Sequence, residues 1–147
     1  MSTPASIRHH PIHPMLVGIP IGLWVFATVA DLVHLLGAGE PLWKDIARYC
    51  IGGGLVGAVL AAIPGLVDLA SIPDRRVRKI ALTHMTVNLI AVALFASSLW
   101  LRAGDPLGGV PVAVSAGGLV VLGGGGWLGG ELVFVRGVGV KPPTSSQ

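Results

Sequence analysis

The chain is short of charge, of cysteine and of aromatic residues. Only 12% of its 147 residues are charged, about half the share of an ordinary water-soluble domain. Its one cysteine, Cys50, excludes an intrachain disulfide and any cysteine-built zinc or iron–sulfur centre; it reads as a small apolar helix residue. Aromatics make up 5%, and the basic residues lie in the connections between apolar runs. The net charge of +3 therefore reads as membrane orientation and not as a nucleic-acid surface. No serine, threonine or cysteine has a recognisable nucleophile context. No glycine loop outside the apolar runs is available to cradle a phosphate.

What the chain does have is hydrocarbon. Hydrophobic residues make up 52% and the mean hydropathy is +0.78. Four apolar runs, residues 15–36, 46–70, 80–101 and 110–135, each approach the length of about 20 residues that crosses a bilayer as a helix. Strands are not expected, because an open sheet edge has no hydrogen-bond partner in lipid and four runs are too few for a barrel. Gly37, Gly39 and Pro41, then Gly104, Pro106, Gly108 and Gly109, punctuate the gaps. Such short connections make successive helices antiparallel neighbours. The expected fold is all-α: one integral-membrane, antiparallel four-helix bundle over residues 1–147, with 136–147 as a flexible tail. The first run contains Asp31 and His34 and lacks a cleavage signal, so it reads as a permanent helix.

Orientation follows from Lys and Arg. Arg8, Arg75, Arg76, Arg78, Lys79, Arg136 and Lys141 fall on one side, against Lys44, Arg48 and Arg102 on the other. That asymmetry predicts both termini in the cytoplasm. Gly18–Gly22, Gly53–Gly57, Gly125–Gly129 and Gly126–Gly130 form one-turn pairs of the kind that bring membrane helices together, within the bundle or as a homo-oligomer. The run from Gly123 to Gly130 leaves room for a kink, as do Pro20 and Pro64.

The polar residues are few enough to be read individually. Arg8-His-His-Pro-Ile-His-Pro-Met15 opens the first run, with His9 as an interfacial, solvated residue. Antiparallel threading brings His10 and His13 to the same leaflet as Asp68, His84 and Glu131. Asp68 and Glu131 lie at helix C-termini and His84 near an N-terminus, each against its own helix dipole. Neutral imidazole with carboxylate is a ligand set for zinc or non-haem iron. Two histidines on different helices, His10 or His13 against His84, would instead suit haem b. Asn88, one turn from His84, and Trp127 are candidates to support such a site from behind. Structural readings stand beside these: interfacial anchoring of His10 and His13, a plain hydrogen bond from His84 to an acid, and ion pairs from Asp68 or Glu131 to Arg75, Arg76 or Arg136. Asp31 and His34 lie about 27–32 Å beyond His13 at helical rise and read as an i, i+3 polar pair at the opposite surface. The stripe His13, Val17, Pro20, Trp24, Ala27, Asp31, His34 puts them on one inward face.

The motifs His10-Pro-Ile-His-Pro14, Pro-Gly-Leu-Val-Asp68, Thr83-His84 and Gly126-Trp-Leu-Gly-Gly-Glu131 together resemble a family of four-helix bacterial inner-membrane proteins classed only as a domain of unknown function, of the DUF2231 type. The resemblance covers nearly the whole chain, and the His-Pro-x-His-Pro opening is its most specific part. Some relatives are joined to a Rieske-type iron–sulfur domain, which implies a redox setting. This chain has no Rieske ligand motif, so such a partner would be a separate protein. The resulting expectation is a metal or haem site at the cytoplasmic end serving electron transfer. A proton or ion relay through the same residues, and a scaffold or assembly subunit that binds neighbours through its glycine faces, are the rival readings.

Overall fold

A computed structural model describes residues 4–8, 10–37, 41–104 and 109–140. His9, Lys141, the turn residues Gly39, Pro106 and Gly108, and the Pro-Pro-Thr-Ser-Ser tail lie outside the described residues. A short strand pair, β1 (Ser6–Ile7) with β2 (His10–Pro11), precedes the helices α1 (Ile12–Leu16), α2 (Gly18–Leu35), α3 (Pro41–Ala70), α4 (Arg75–Gly104) and α5 (Gly109–Gly130). A π-helical turn, Glu131–Val135, completes the last crossing. Among the described residues four segments are long and apolar enough to cross a membrane: Ile12–Leu35, Pro41–Ala70, Arg75–Gly104 and Gly109–Val135.

The helices extend past the hydrocarbon runs where local chemistry favours it. Pro41 opens α3 at the first helical position, where its missing N–H would have been unpaired anyway. Asp74 caps α4: its Oδ1 accepts the backbone N–H groups of Arg76, at 2.7 Å, and Val77, at 3.2 Å. The Arg75–Lys79 turn is therefore helical although it is too charged to lie in lipid. The strands are a departure from the all-helical expectation. They form outside the spanning segments, where water or neighbouring chain can satisfy an edge, and Arg8 adopts a left-handed φ of 49° between them. The first crossing is divided at Val17, although the Val17 and Ile21 N–H groups still reach back one turn.

Tight packing joins α2 to α3 and α4 to α5, so the bundle consists of two helical hairpins laid against each other. Between them sits a thin core: Trp24, Ala27, Ile51, Ala91, Phe95 and Leu122. Trp24 and Phe95 stack with centroids 4.2 Å apart and planes 10° from parallel. The outer faces, including Leu32, Val56, Val59, Ile63 and Val120, are apolar and exposed, as a lipid-facing surface requires. Glycine matters where rings lie against backbone. A Cβ at Gly54 would fall 2.3 Å from Trp24 Nε1, and one at Gly118 would fall 3.1 Å from the Phe95 ring. Gly53, Gly57, Gly125 and Gly129 are likewise occupied inside the bundle, whereas Gly18, Gly22 and Gly126 meet nothing within 4 Å.

Candidate functional site

The two ends of the bundle carry its polar side chains. At one end Arg102, on α4, donates from Nη1 to Asp31 Oδ1 at 2.8 Å and from Nη2 to Asp31 Oδ2 at 2.6 Å. This forked pair is nearly sealed, with side-chain exposures of 2% and 5%. Ser98 and Ser115 oxygens accept further guanidinium bonds at 3.3 Å each, while their own hydroxyls donate to the Pro111 and Val112 carbonyls. Four guanidinium N–H groups and both carboxylate oxygens are thereby hydrogen-bonded, and such bonding is the condition for charge to be tolerated in a low-dielectric interior. Asp31 is thus paired with Arg102, not with His34. A carboxylate this deep finds its most favourable partner in a planar guanidinium. In the sequence Arg102 is indistinguishable from an interfacial anchor, because it is a positive residue at the end of an apolar run. His34 keeps a buried Nδ1 with no partner among the described residues.

At the other end, His13 and His84 approach each other from different helices. Their ring centroids are 6.4 Å apart and their planes perpendicular. Each ring is held by the second helix of its own hairpin. The His13 Nδ1–H donates to the Ala61 carbonyl at 2.7 Å, and the His84 Nδ1–H donates to the Gly125 carbonyl at 2.9 Å. A carbonyl can only accept, so both rings carry the Nδ1 proton when neutral, and Nε2 holds the lone pair. Glycines give the rings their space: a Cβ at Gly65 would lie 2.8 Å from His13 Nδ1, and one at Gly129 would lie 3.1 Å from His84 Cε1. Asn88 supports His84, donating from Nδ2 to its carbonyl at 2.8 Å with the amide against the ring.

The other expected ligands are engaged elsewhere. His10 is exposed on β2, and its Nδ1–H donates to the Arg8 carbonyl at 3.1 Å. Glu131 pairs with Arg136 at 2.9 Å on the half-exposed surface. The π-helical turn sets Glu131 and Arg136 over one another, with the Arg136 N–H bonded to the Glu131 carbonyl at 3.0 Å, a spacing an α-turn would not provide. Asp68 accepts the Ala5 N–H at 3.0 Å and so ties the N-terminal strands down over α3, which accounts for an acid at a helix C-terminus. Its carboxylate also lies within electrostatic range of His13. Trp127 is 81% exposed and faces away from the site, because the helical phase that brings Gly125 and Gly129 to His84 turns residue 127 outward. Among the described residues no group of three or more His, Cys, Asp or Glu is placed to hold a metal ion. Of the expected cluster, the geometry brings together His13 and His84, with Asn88 behind one and Asp68 near the other.

The family model described as "Predicted membrane protein (DUF2231)" matches residues 9–142, and the chain belongs to that family. No curated protein and no solved structure matches it.

Proposed function

We propose that this chain is a small redox protein of the bacterial inner membrane, in which His13 and His84 are the two protein ligands of one metal centre, haem b foremost. The observation that carries the reading is the matched pair of imidazoles between two hairpins, each pinned through Nδ1 to a backbone carbonyl. That anchoring is the usual second bond of a metal-binding histidine; it sets the tautomer and leaves Nε2 for the metal. The two rings, with centroids 6.4 Å apart, would be the residues that hold the group.

The composition of the set supports haem over a tetrahedral ion. Tetrahedral zinc takes four protein ligands, or three with an open position, and among the described residues no group of three or more His, Cys, Asp or Glu is placed to hold one. A haem would need only the two imidazoles, His13 and His84, from the protein. When bound, haem supplies a reversible one-electron couple. The chain's own residues hold the two half-buried imidazoles through the Ala61 and Gly125 carbonyls and orient His84 through Asn88. Electron delivery would come from a separate membrane redox protein, of which a Rieske-type protein is one candidate class.

The test is an optical spectrum with iron analysis of the detergent-purified protein. A Soret band with stoichiometric iron is expected, lost in both His13→Ala and His84→Ala and retained in His10→Ala and Glu131→Gln. A folded wild-type preparation that is colourless and free of metal overturns the reading.

A further inference from the structure

Three side-chain pairs that join the first crossing to α4 share one sequence spacing. His13 meets His84, Trp24 meets Phe95, and Asp31 meets Arg102; in each case the partner lies 71 residues further along. The supporting helices repeat as well, at a spacing of 64. Ala61 and Gly125 offer the carbonyls to the two imidazoles. Gly65 and Gly129 give those rings their space, and Gly54 and Gly118 do so for Trp24 and Phe95. Burial keeps the same phase: Pro20 and Ala91, Ala27 and Ser98, and Gly54 and Gly118 are buried together.

Residues that touch their own equivalents lie on a two-fold axis. Because α2 and α4 run the same way, that axis runs along the bundle, as in transporters built from parallel repeats. Imidazole against imidazole and ring against ring suit any pairing of hairpins, like or unlike. Carboxylate against guanidinium does not. Two copies of the first hairpin would bury Asp31 against Asp31, and two copies of the second would bury Arg102 against Arg102. Opposite charges on the axis admit only the unlike pair, which is discrimination by repulsion of the alternatives.

We infer that the chain is a fused pseudo-dimer of two exchangeable hairpins, residues 12–70 and 75–135, in which Asp31 and Arg102 form the lock that sets which hairpin pairs with which. The partner that fits the inner face of either hairpin is the complementary hairpin, from the same chain or from a second copy of it.

The test uses full-length chains. Asp31→Arg alone and Arg102→Asp alone each bury like charges, and each should lower the yield of folded protein in membranes by about tenfold or more. The double variant D31R/R102D should recover to near the wild-type yield. Co-expressed with different tags, the two single variants can correct each other only by exchanging hairpins; they should copurify as a dimer with restored yield, while two tagged wild-type chains do not. A double variant that stays depleted overturns the lock. A recovered double variant whose single parents fail to copurify overturns the exchangeable hairpins, as does equal copurification of wild-type chains. None of these readouts involves metal, so the outcome is independent of the proposed redox role.

Discussion

The two ends of the bundle solve the same problem, polar side chains inside a membrane protein, in opposite ways. At the Arg102 end the charges neutralise each other and two serines complete the hydrogen bonding. Both charges are spent on each other, and the result is a lock. At the His13 end each ring has one nitrogen committed to backbone, while Glu131 pairs with Arg136 and Asp68 accepts the Ala5 N–H. The difference teaches that full satisfaction produces structure, whereas half-satisfaction, with the tautomer already set, produces a candidate site.

The sharpest way to break this contrast is to remove one charge from the lock. Arg102→Ala leaves Asp31 buried without a partner and should cost about 3–5 kcal/mol, read as unfolding in detergent by denaturant or heat. His84→Ala should cost distinctly less stability while abolishing bound metal or haem. Equal stability losses would erase the distinction between the ends. A smaller effect is expected from Gly65→Ala. Its methyl group would meet His13 Nδ1 at 2.8 Å, pushing the ring off the Ala61 carbonyl. Overpacking of this kind costs about 1–3 kcal/mol, and bound metal or haem should fall with it. Gly22→Ala, with nothing within 4 Å, should change neither. The smallest effect concerns Asp74. The backbone N–H groups of Val77 and Arg76 hold its carboxyl below the ordinary carboxylate value. The stability it adds is complete above the pH at which the unfolded carboxyl titrates, and is lost as pH falls through the lower, folded value. Asp74→Asn should therefore flatten the acid side of the stability profile and leave its neutral side almost unchanged, as thermal scans from pH 7 down to pH 3 would register.

Hydropathy and run length were sufficient to read four crossings, their antiparallel threading and the shared end of His13, Asp68, His84 and Glu131, because lipid leaves the backbone no alternative to helix. Asn88 beside His84 was also legible, being one turn away on the same helix. The repeat was not. Over the aligned first and third crossings the paired positions keep His13 with His84, Ile19 with Ile90 and Leu23 with Leu94, but Trp24 stands opposite Phe95 and Asp31 opposite Arg102. Equivalence of place without identity of residue leaves little trace in a single chain. The identity of Arg102 as the partner of Asp31 was hidden for a related reason, since nothing local distinguishes a buried arginine from an interfacial one.

Composition and periodicity by themselves determined that this is a membrane bundle of four helices and which few residues in it are polar, since transfer of each run out of water depends only on the side chains within that run. Tertiary structure alone decided the long-range pairings: Asp68 with Ala5, Asp31 with Arg102, and His13 opposite His84. A bond between distant residues depends on how whole hairpins rotate and pack, and a single helix carries no record of the face its neighbour will present.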